Sequence, residues 1–342
     1  MILYSQFFRG DFVSKVKVYI KNKKHYILDK NLNVKNLSNK YKILSEIKSY
    51  DILNDKYYGP KIYDFVKYLI IQNVNITHLC NNLRTLKIEV IEEKNFPYKS
   101  VLAYYNSTRN IIVFNGVFNE LTLYHELFHV ASIYYSEDKS LLFGGFSYDN
   151  SSVERFRLGT GLNEGYTDKL KNEFFCDNKI YNYEQFIAEK LEKLVGKEEL
   201  KQLYFEADLL GLISILEKYE KRDTIYEFIK NVDYIYNIKG GNIEYNDNLK
   251  SIAEKKLVDI NQFLANCFIK KYMNDSTCFY KNKFELLRAL FDLPNRIKLG
   301  LYDVEFTINN IEMRKNVLSI IAIEEGTQKD NRKYKCKTKL LK

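Results

Sequence analysis

Histidine occurs only four times in this 342-residue chain, and two of the four stand in "NELTLYHELFHVAS", residues 119 to 132. His125 and His129 are four apart, so on a helix both imidazoles project from one face about one turn apart. Glu126 follows the first histidine and is rotated about 100° from it. It is badly placed to share the site as a third ligand, but well placed to reach a water molecule held there. Two neutral nitrogens plus a neighbouring carboxylate base is the logic of His-Glu-x-x-His, in which a zinc ion is bound and a water is activated.

Two histidines do not complete a metal site, so a third ligand is required. The metzincin continuation demands a Gly and then a His after the second histidine; Ser132 and Tyr135 occupy those positions, which excludes that arrangement. His25 and His78 lie upstream in unrelated segments. Downstream, "GTGLNEGYTDKL" opens a helix behind a glycine-rich turn. Glu164 and Asp168 are again four apart and share a face. One can bind a metal while the other accepts the N–H of a ligating histidine. Asp149 and Glu154 are the remaining acidic candidates for the third ligand.

The pair of motifs resembles the gluzincin metallopeptidases, whose best-known group is thermolysin-like. The resemblance rests on His125-Glu126-x-x-His129 followed by Asn163-Glu164-x-x-x-Asp168 and covers roughly residues 100 to 219. "GLNEGYTD" is also similar to a bacterial branch of this zincin type. The resemblance implies a zinc-like α+β fold of the zincin kind and one Zn2+ per chain, held by His125, His129 and Glu164. It implies further that Glu126 is the general base and that Asp168 orients a histidine, His125 by its position. The implied activity is hydrolysis of peptide bonds by an activated water, with a peptide or protein as substrate. The spacer between His129 and Glu164 is longer than in the thermolysin-like group, with "FGGFSYDNSS" as the inserted stretch. Two other functions stay open: a narrow regulatory protease that cleaves one partner, and a zincin scaffold kept as a binding protein whose basic tail contacts nucleic acid.

The elements that must carry these residues follow from hydropathy patterning. "KVKVYI" and "HYILD" alternate with period two and predict strands near the N-terminus; residues 37 to 86 read as mostly helical. "LKIEVIEE" predicts a strand, and "SVLAYYNSTRNIIVFN" a β-hairpin turning at "NSTRN". The second hairpin strand, "RNIIVF", is a candidate edge for pairing with an extended peptide. Asn119 suits a helix N-cap and Glu120 the positive end of the helix dipole, with Leu123, Leu127, Val130 and Ala131 turned to the core. "LLFGGFSYD" predicts a strand and turn. Beyond residue 162 helical periodicity takes over in "YEQFIAEKLEKLV", "EELKQLYFEADLLGLISILEKY" and "DTIYEFIKNVDYIY", with Gly196 as a stop between two helices. The expectation is an α+β chain: strands before the "HELFH" helix and a mostly helical C-terminal half. We divide it into an N-terminal segment (1–60), a catalytic region (61–326) and a basic tail (327–342).

Composition sets outer bounds. Hydrophobic residues make up 46% and charged residues 28%, which favours a packed core over disorder. The net charge of +9 is concentrated away from the metal motif, because acidic residues outnumber Lys and Arg between Ile111 and Asp168. The tail "KDNRKYKCKTKLLK" carries much of the excess and reads as a solvated extension rather than a nucleic-acid arm. Five cysteines without a CxxC exclude a disulfide framework and a cysteine-ligated zinc. Arg9 and Asp11 interrupt the place of a signal-peptide core, and no apolar run reaches the roughly 18 residues of a membrane span. The cytoplasm is therefore the default location. The abundance of Tyr, Lys, Asn and Ile follows from a coding bias, so among 29 tyrosines Tyr148, Tyr166 and Tyr204 are equal candidates to stabilise an oxyanion.

Overall fold

The "HELFH" helix starts where Asn119 interrupts an extended chain. In the computed structural model, which describes residues 37–97, 101–136, 141–150, 156–175, 183–239, 247–273, 296–299 and 302–305, Asn119 is extended at φ −130° and ψ 126°. Its side-chain oxygen accepts the N–H of Thr122 at 3.0 Å. This satisfies one of the four orphan donors at a helix start. The helix runs from Glu120 to Ser132, and Leu123, Leu127, Val130 and Ala131 are all fully buried along its inner face.

Two compact units make up the chain, dividing after Leu86. The sequence boundary at residue 60 lies inside a helix, Gly59–Ile71, and so does not separate units. The described part of the first unit is helical: α1 (Leu37–Ile47), α2 (Asp51–Asn54), α3 (Gly59–Ile71) and α4 (Thr77–Leu83). Helix α3 buries Ile62, Phe65, Val66, Leu69 and Ile70, the i, i+3, i+4, i+7, i+8 stripe of an amphipathic helix. "KVKVYI", "HYILD" and the basic tail fall outside the described residues.

The second unit opens with strands β1 (Lys87–Ile91), β2 (Ala103–Asn106) and β3 (Ile111–Asn115) in the order β1-β3-β2. Strands β2 and β3 form the expected antiparallel hairpin, with Tyr105 opposite Ile112, and β1 lies parallel on the other side, with Ile88 opposite Ile112. Strand β3 is therefore central. Ile111, Ile112, Val113 and Phe114 are all buried, which explains an unbroken apolar run. The expectation that "RNIIVF" forms an edge is corrected: β1 takes its second side, and among the described residues the edges of this sheet are β1 and β2. A parallel partner from a distant segment leaves no mark on the periodicity of the strand it joins.

Helix α5 (Glu120–Ser132) follows β3 and packs against β2. A four-stranded antiparallel meander comes next, β4 (Ile133–Tyr135), β5 (Leu141–Gly144), β6 (Ser147–Asn150) and β7 (Phe156–Leu158). It leads into α6 (Thr160–Phe174), the helix that carries "NEGYTD", and then α7 (Tyr183–Val195) and α8 (Lys197–Phe205). Gly196, at φ 109°, separates α7 from α8 as expected. The single run expected from 198 to 219 is instead α8 and α9 (Leu209–Leu216). Ala207 turns left-handed at φ 51°, and Asp208 caps the new helix by accepting the N–H of Gly211 at 2.8 Å. A capping aspartate competes with helix continuation at such a place. Helices α10 (Arg222–Lys239) and α11 (Asp247–Met273) and a strand pair, β8 (Arg296–Leu299) and β9 (Tyr302–Glu305), complete the described chain. The architecture is mixed α+β with two small sheets ahead of a helical half. Among the described residues no helix is long and apolar enough to cross a membrane. Cys80 and Cys267 are free and buried, and burial pushes their thiols up to about 11 and about 12.

Helix α6 meets α7 backbone to backbone. A methyl group on Gly165 would strike the carbonyl of Glu184, so the residue after Glu164 has no room for a side chain. Gly165→Ala gains about 1 kcal/mol of intrinsic helix propensity yet should lose about 1–3 kcal/mol to overpacking. A lower urea midpoint at unchanged slope is the expected outcome; a midpoint that rises would show that the two helices do not touch there.

Candidate metal centre

Helices α5 and α6 bring the two motifs face to face. His125 Nε2 and His129 Nε2 lie 3.1 Å apart. Glu164 Oε2 is 3.3 Å from His125 Nε2, and Glu164 Oε1 is 3.4 Å from His129 Nε2. These are the spacings of a shared ion. Ligands about 2.0–2.1 Å from a tetrahedral metal stand roughly 3.3 Å from one another. Of all His, Cys, Asp and Glu side chains among the described residues, only these three group in this way. Two imidazoles and one carboxylate leave a fourth position open, as in sites that do chemistry. The side chains keep 12 to 25% exposure, so solvent and a substrate can reach them.

The expected supporting residue is in place. Asp168 Oδ1 accepts from His125 Nδ1 at 2.9 Å, one helical turn beyond Glu164. That fixes the tautomer in which Nε2 is free to face an ion. Lys171 Nζ donates to the same oxygen at 2.7 Å and holds the carboxylate still. Asn163, the first residue of "NEGYTD", touches His129 in the opposite sense: its side-chain amide can only donate to the imidazole, where Asp168 accepts from His125. Its amide nitrogen lies 3.3 Å from His129 Nδ1, and its oxygen takes the N–H of Phe146 at the same separation. Asn163 was quoted in the motif without a role; both roles depend on a partner outside the motif.

Phe146 sits at the tip of the β5–β6 hairpin, within the stretch inserted between the motifs. Gly145 there is left-handed at φ 53°, and a Cβ on it would collide with Asn163 Oδ1 and the Tyr204 ring. The long spacer thus closes onto the ligand helix instead of looping away from it. Asp149, the alternative ligand, is engaged elsewhere: it accepts from Arg157 Nε at 2.7 Å across β6 and β7. Glu154 lies outside the described residues.

Charge is set by the same contacts. Burial disfavours a charged His125, but the Asp168 and Glu164 carboxylates outweigh it and raise its pKa well above 6.5. Glu164 is desolvated too, yet His129 and His125 pull its pKa far below 4.5. Asp168 is likewise driven down against its own burial, by His125 and Lys171. Glu126 differs. It is 5% exposed, and burial raises its pKa despite the two imidazoles and the Tyr105 N–H that it accepts. The site therefore holds one strongly ionised carboxylate for a cation and one more basic carboxylate beside it, the division of labour expected of ligand and base.

Compared with known proteins, the chain matches no family model, no curated protein and no solved structure. The fit of the residues to a metal is carried by their geometry alone.

Two measurements follow. One divalent ion per chain should survive dialysis in the wild type, with zinc as the probe. His125→Ala, His129→Ala and Glu164→Ala should each lose it, whereas Asp168→Ala should keep it with about 10- to 100-fold weaker affinity. Full retention in a histidine variant would remove that residue from the site. The second concerns pH. In chelator-stripped protein the raised His125 pKa contributes stability that is present below 6.5 and lost as pH rises through its folded value. The lowered Glu164 and Asp168 values contribute stability present above 4.5 and 3.8 and lost only in strong acid. Ion binding requires neutral His125 and so strengthens as pH rises. The gain in melting temperature on adding zinc should grow from pH 6 to pH 8; a gain that shrinks over that range would contradict the raised His125 pKa.

Proposed function

We propose that this protein is a zinc-dependent metallopeptidase of gluzincin type, with a zincin-like arrangement of its catalytic helices. The observation that carries the reading is the mutual spacing of 3.1 to 3.4 Å among His125, His129 and Glu164, with Glu126 beside it. The donor set of two nitrogens and one carboxylate oxygen suits zinc over the oxygen-seeking calcium and magnesium. When bound, zinc supplies Lewis-acid polarisation of a carbonyl and acidifies water to a pKa of roughly 7.

The remaining chemistry belongs to the chain. Glu126, with its raised pKa, takes a proton from the attacking water as the oxygen adds to the carbonyl carbon. It then gives that proton to the amide nitrogen as the C–N bond breaks, so that an acid and an amine leave. Asp168 keeps the His125 imidazole oriented throughout.

Substrate orientation is supported by strand β2. It is an edge of its sheet, and the Tyr105 N–H on that edge reaches Glu126. An extended peptide added to β2 would run past the general base with its backbone already hydrogen bonded. That is the edge role first assigned to "RNIIVF", moved one strand along.

Glu126→Gln separates base from ligand. The amide keeps the size of the side chain but cannot accept the proton. Zinc content should be unchanged, and turnover of unstructured peptides such as casein fragments should fall on the order of 10²- to 10⁴-fold. Wild-type protein that binds zinc yet cleaves no peptide would refute the peptidase reading; a Glu126→Gln variant as active as wild type would refute the role of Glu126.

A further inference from the structure

Asn163 stands between the metal centre and the tip of the β5–β6 hairpin, and the two ends of its amide face different partners. The nitrogen lies 3.3 Å from His129 Nδ1, and the oxygen accepts the Phe146 N–H at 3.3 Å. An amide nitrogen only donates. His129 Nδ1 is therefore the acceptor here, and the ring proton is on Nε2, 3.4 Å from Glu164 Oε1. Nε2 is the nitrogen that faces the ion site, and a ligating nitrogen must give up its proton. The neutral ring then carries its proton on Nδ1, which becomes a donor. Two N–H groups, from His129 and Phe146, then stand at opposite ends of one amide that has oxygen at one end only.

Phe146 is held too firmly to follow a departing oxygen. Its ring is 1% exposed and packs edge-on against Tyr166 and Tyr204 at 5.3 and 5.6 Å. A Cβ on Gly159 would strike the Phe146 carbonyl oxygen, so the tip abuts the start of α6. On its other side Gly145 donates its N–H to the Ser132 carbonyl at 3.0 Å. The three tyrosines considered for an oxyanion all pack in or against this hairpin: Tyr148 in β6 on the Phe143 ring, Tyr166 and Tyr204 on Phe146. The Tyr204 hydroxyl is engaged with Thr167 Oγ1 at 2.6 Å. Asn163 itself is buried, which keeps water from standing in for a lost partner. Its amide can still turn over in place, because the oxygen and nitrogen ends are nearly equal in size.

We infer that zinc loading turns the Asn163 amide over, so that its oxygen leaves the Phe146 N–H and accepts from His129 Nδ1. The hairpin tip and the ion thus compete for one acceptor. The oxygen goes to His129, because an imidazole bound to a cation is the stronger donor. The Phe146 N–H is left facing the amide nitrogen, a donor against a donor. The long spacer between the motifs therefore weakens the hold on the ion and registers its arrival. The inference rests on the zinc reading above and not on peptide hydrolysis.

The test follows backbone amide exchange by NMR in the full chain, stripped with chelator and then loaded with zinc, with Asn163→Asp beside the wild type. In the wild type zinc should speed exchange of the Phe146 N–H about 3- to 10-fold, the worth of one hydrogen bond. The Gly145 N–H, bonded to a backbone carbonyl, should not speed up. A carboxylate accepts at both ends. Asn163→Asp should therefore bind zinc about 10- to 100-fold more tightly, and zinc should leave its Phe146 exchange no faster. Added charge raises affinity by itself, so exchange decides. Phe146 exchange that is unchanged or slower in the zinc-loaded wild type overturns the inference, whether or not the variant folds. Acceleration of Gly145 together with Phe146 would mean that the whole hairpin opens, and overturns it too. So does a folded variant that binds zinc no tighter than the wild type. A wild type that takes up no zinc refutes the metal centre and the inference with it. Zinc uptake with acceleration confined to Phe146, but without peptide cleavage, would support the amide competition while refuting the peptidase reading.

Discussion

Everything at the candidate metal centre depends on the registration of α6 against α5. The histidines stand on one helix and Glu164 with Asp168 on the other, so a shift of one residue, about 1.5 Å along the helix axis, would take the carboxylates out of reach. Helical propensity cannot supply such registration. It is supplied by contacts at every level of α6: Asp233 on the N–H groups of residues 159 and 161, Asn163 between His129 and Phe146, Gly165 against the Glu184 carbonyl, and Asp168 on His125. The first and last of these contacts span about two and a half turns, enough to resist both sliding and rotation.

The glycines of "GTGLNEG" are best understood through that constraint. Gly159 adopts φ 85° and so begins the helix with a turn that L side chains rarely adopt. Gly161 admits α10, and Gly165 admits α7. Each glycine costs intrinsic helix stability, and each permits a neighbouring backbone to approach the ligand helix. The motif carries the candidate ligand and its supporting carboxylate on one set of positions and close packing on the set between them.

The electrostatic arrangement has the same origin. Asp233 is half-buried, and the loss of solvent pushes its carboxyl up to about 6 even though it accepts two backbone N–H groups. Burying that charge works against stability at neutral pH, and the helix dipole of α6 offsets part of the cost. Around the centre, half-buried carboxylates face half-buried imidazoles, an arrangement that rewards a bound cation and resists loss of either partner.

Much of the site was legible in the chain itself. The four-residue spacing of His125 and His129, and of Glu164 and Asp168, is a property of any helix, so which side chains share a face could be read without coordinates. The Asn119 cap, the buried stripe of α5, the β2–β3 hairpin and the break at Gly196 were readable for the same reason: each depends on neighbours within a few residues. What stayed hidden depends on distant partners. Strand β3 is central because β1 pairs with it from 24 residues away, and no local pattern records that. Asp233 looks like an ordinary member of a helical stretch until α10 is laid against α6, 72 to 74 residues earlier. The sequence by itself determined which groups could bind a metal; only the tertiary structure decided which of them meet, because contact across long loops is fixed by packing and not by the spacing of residues along the chain.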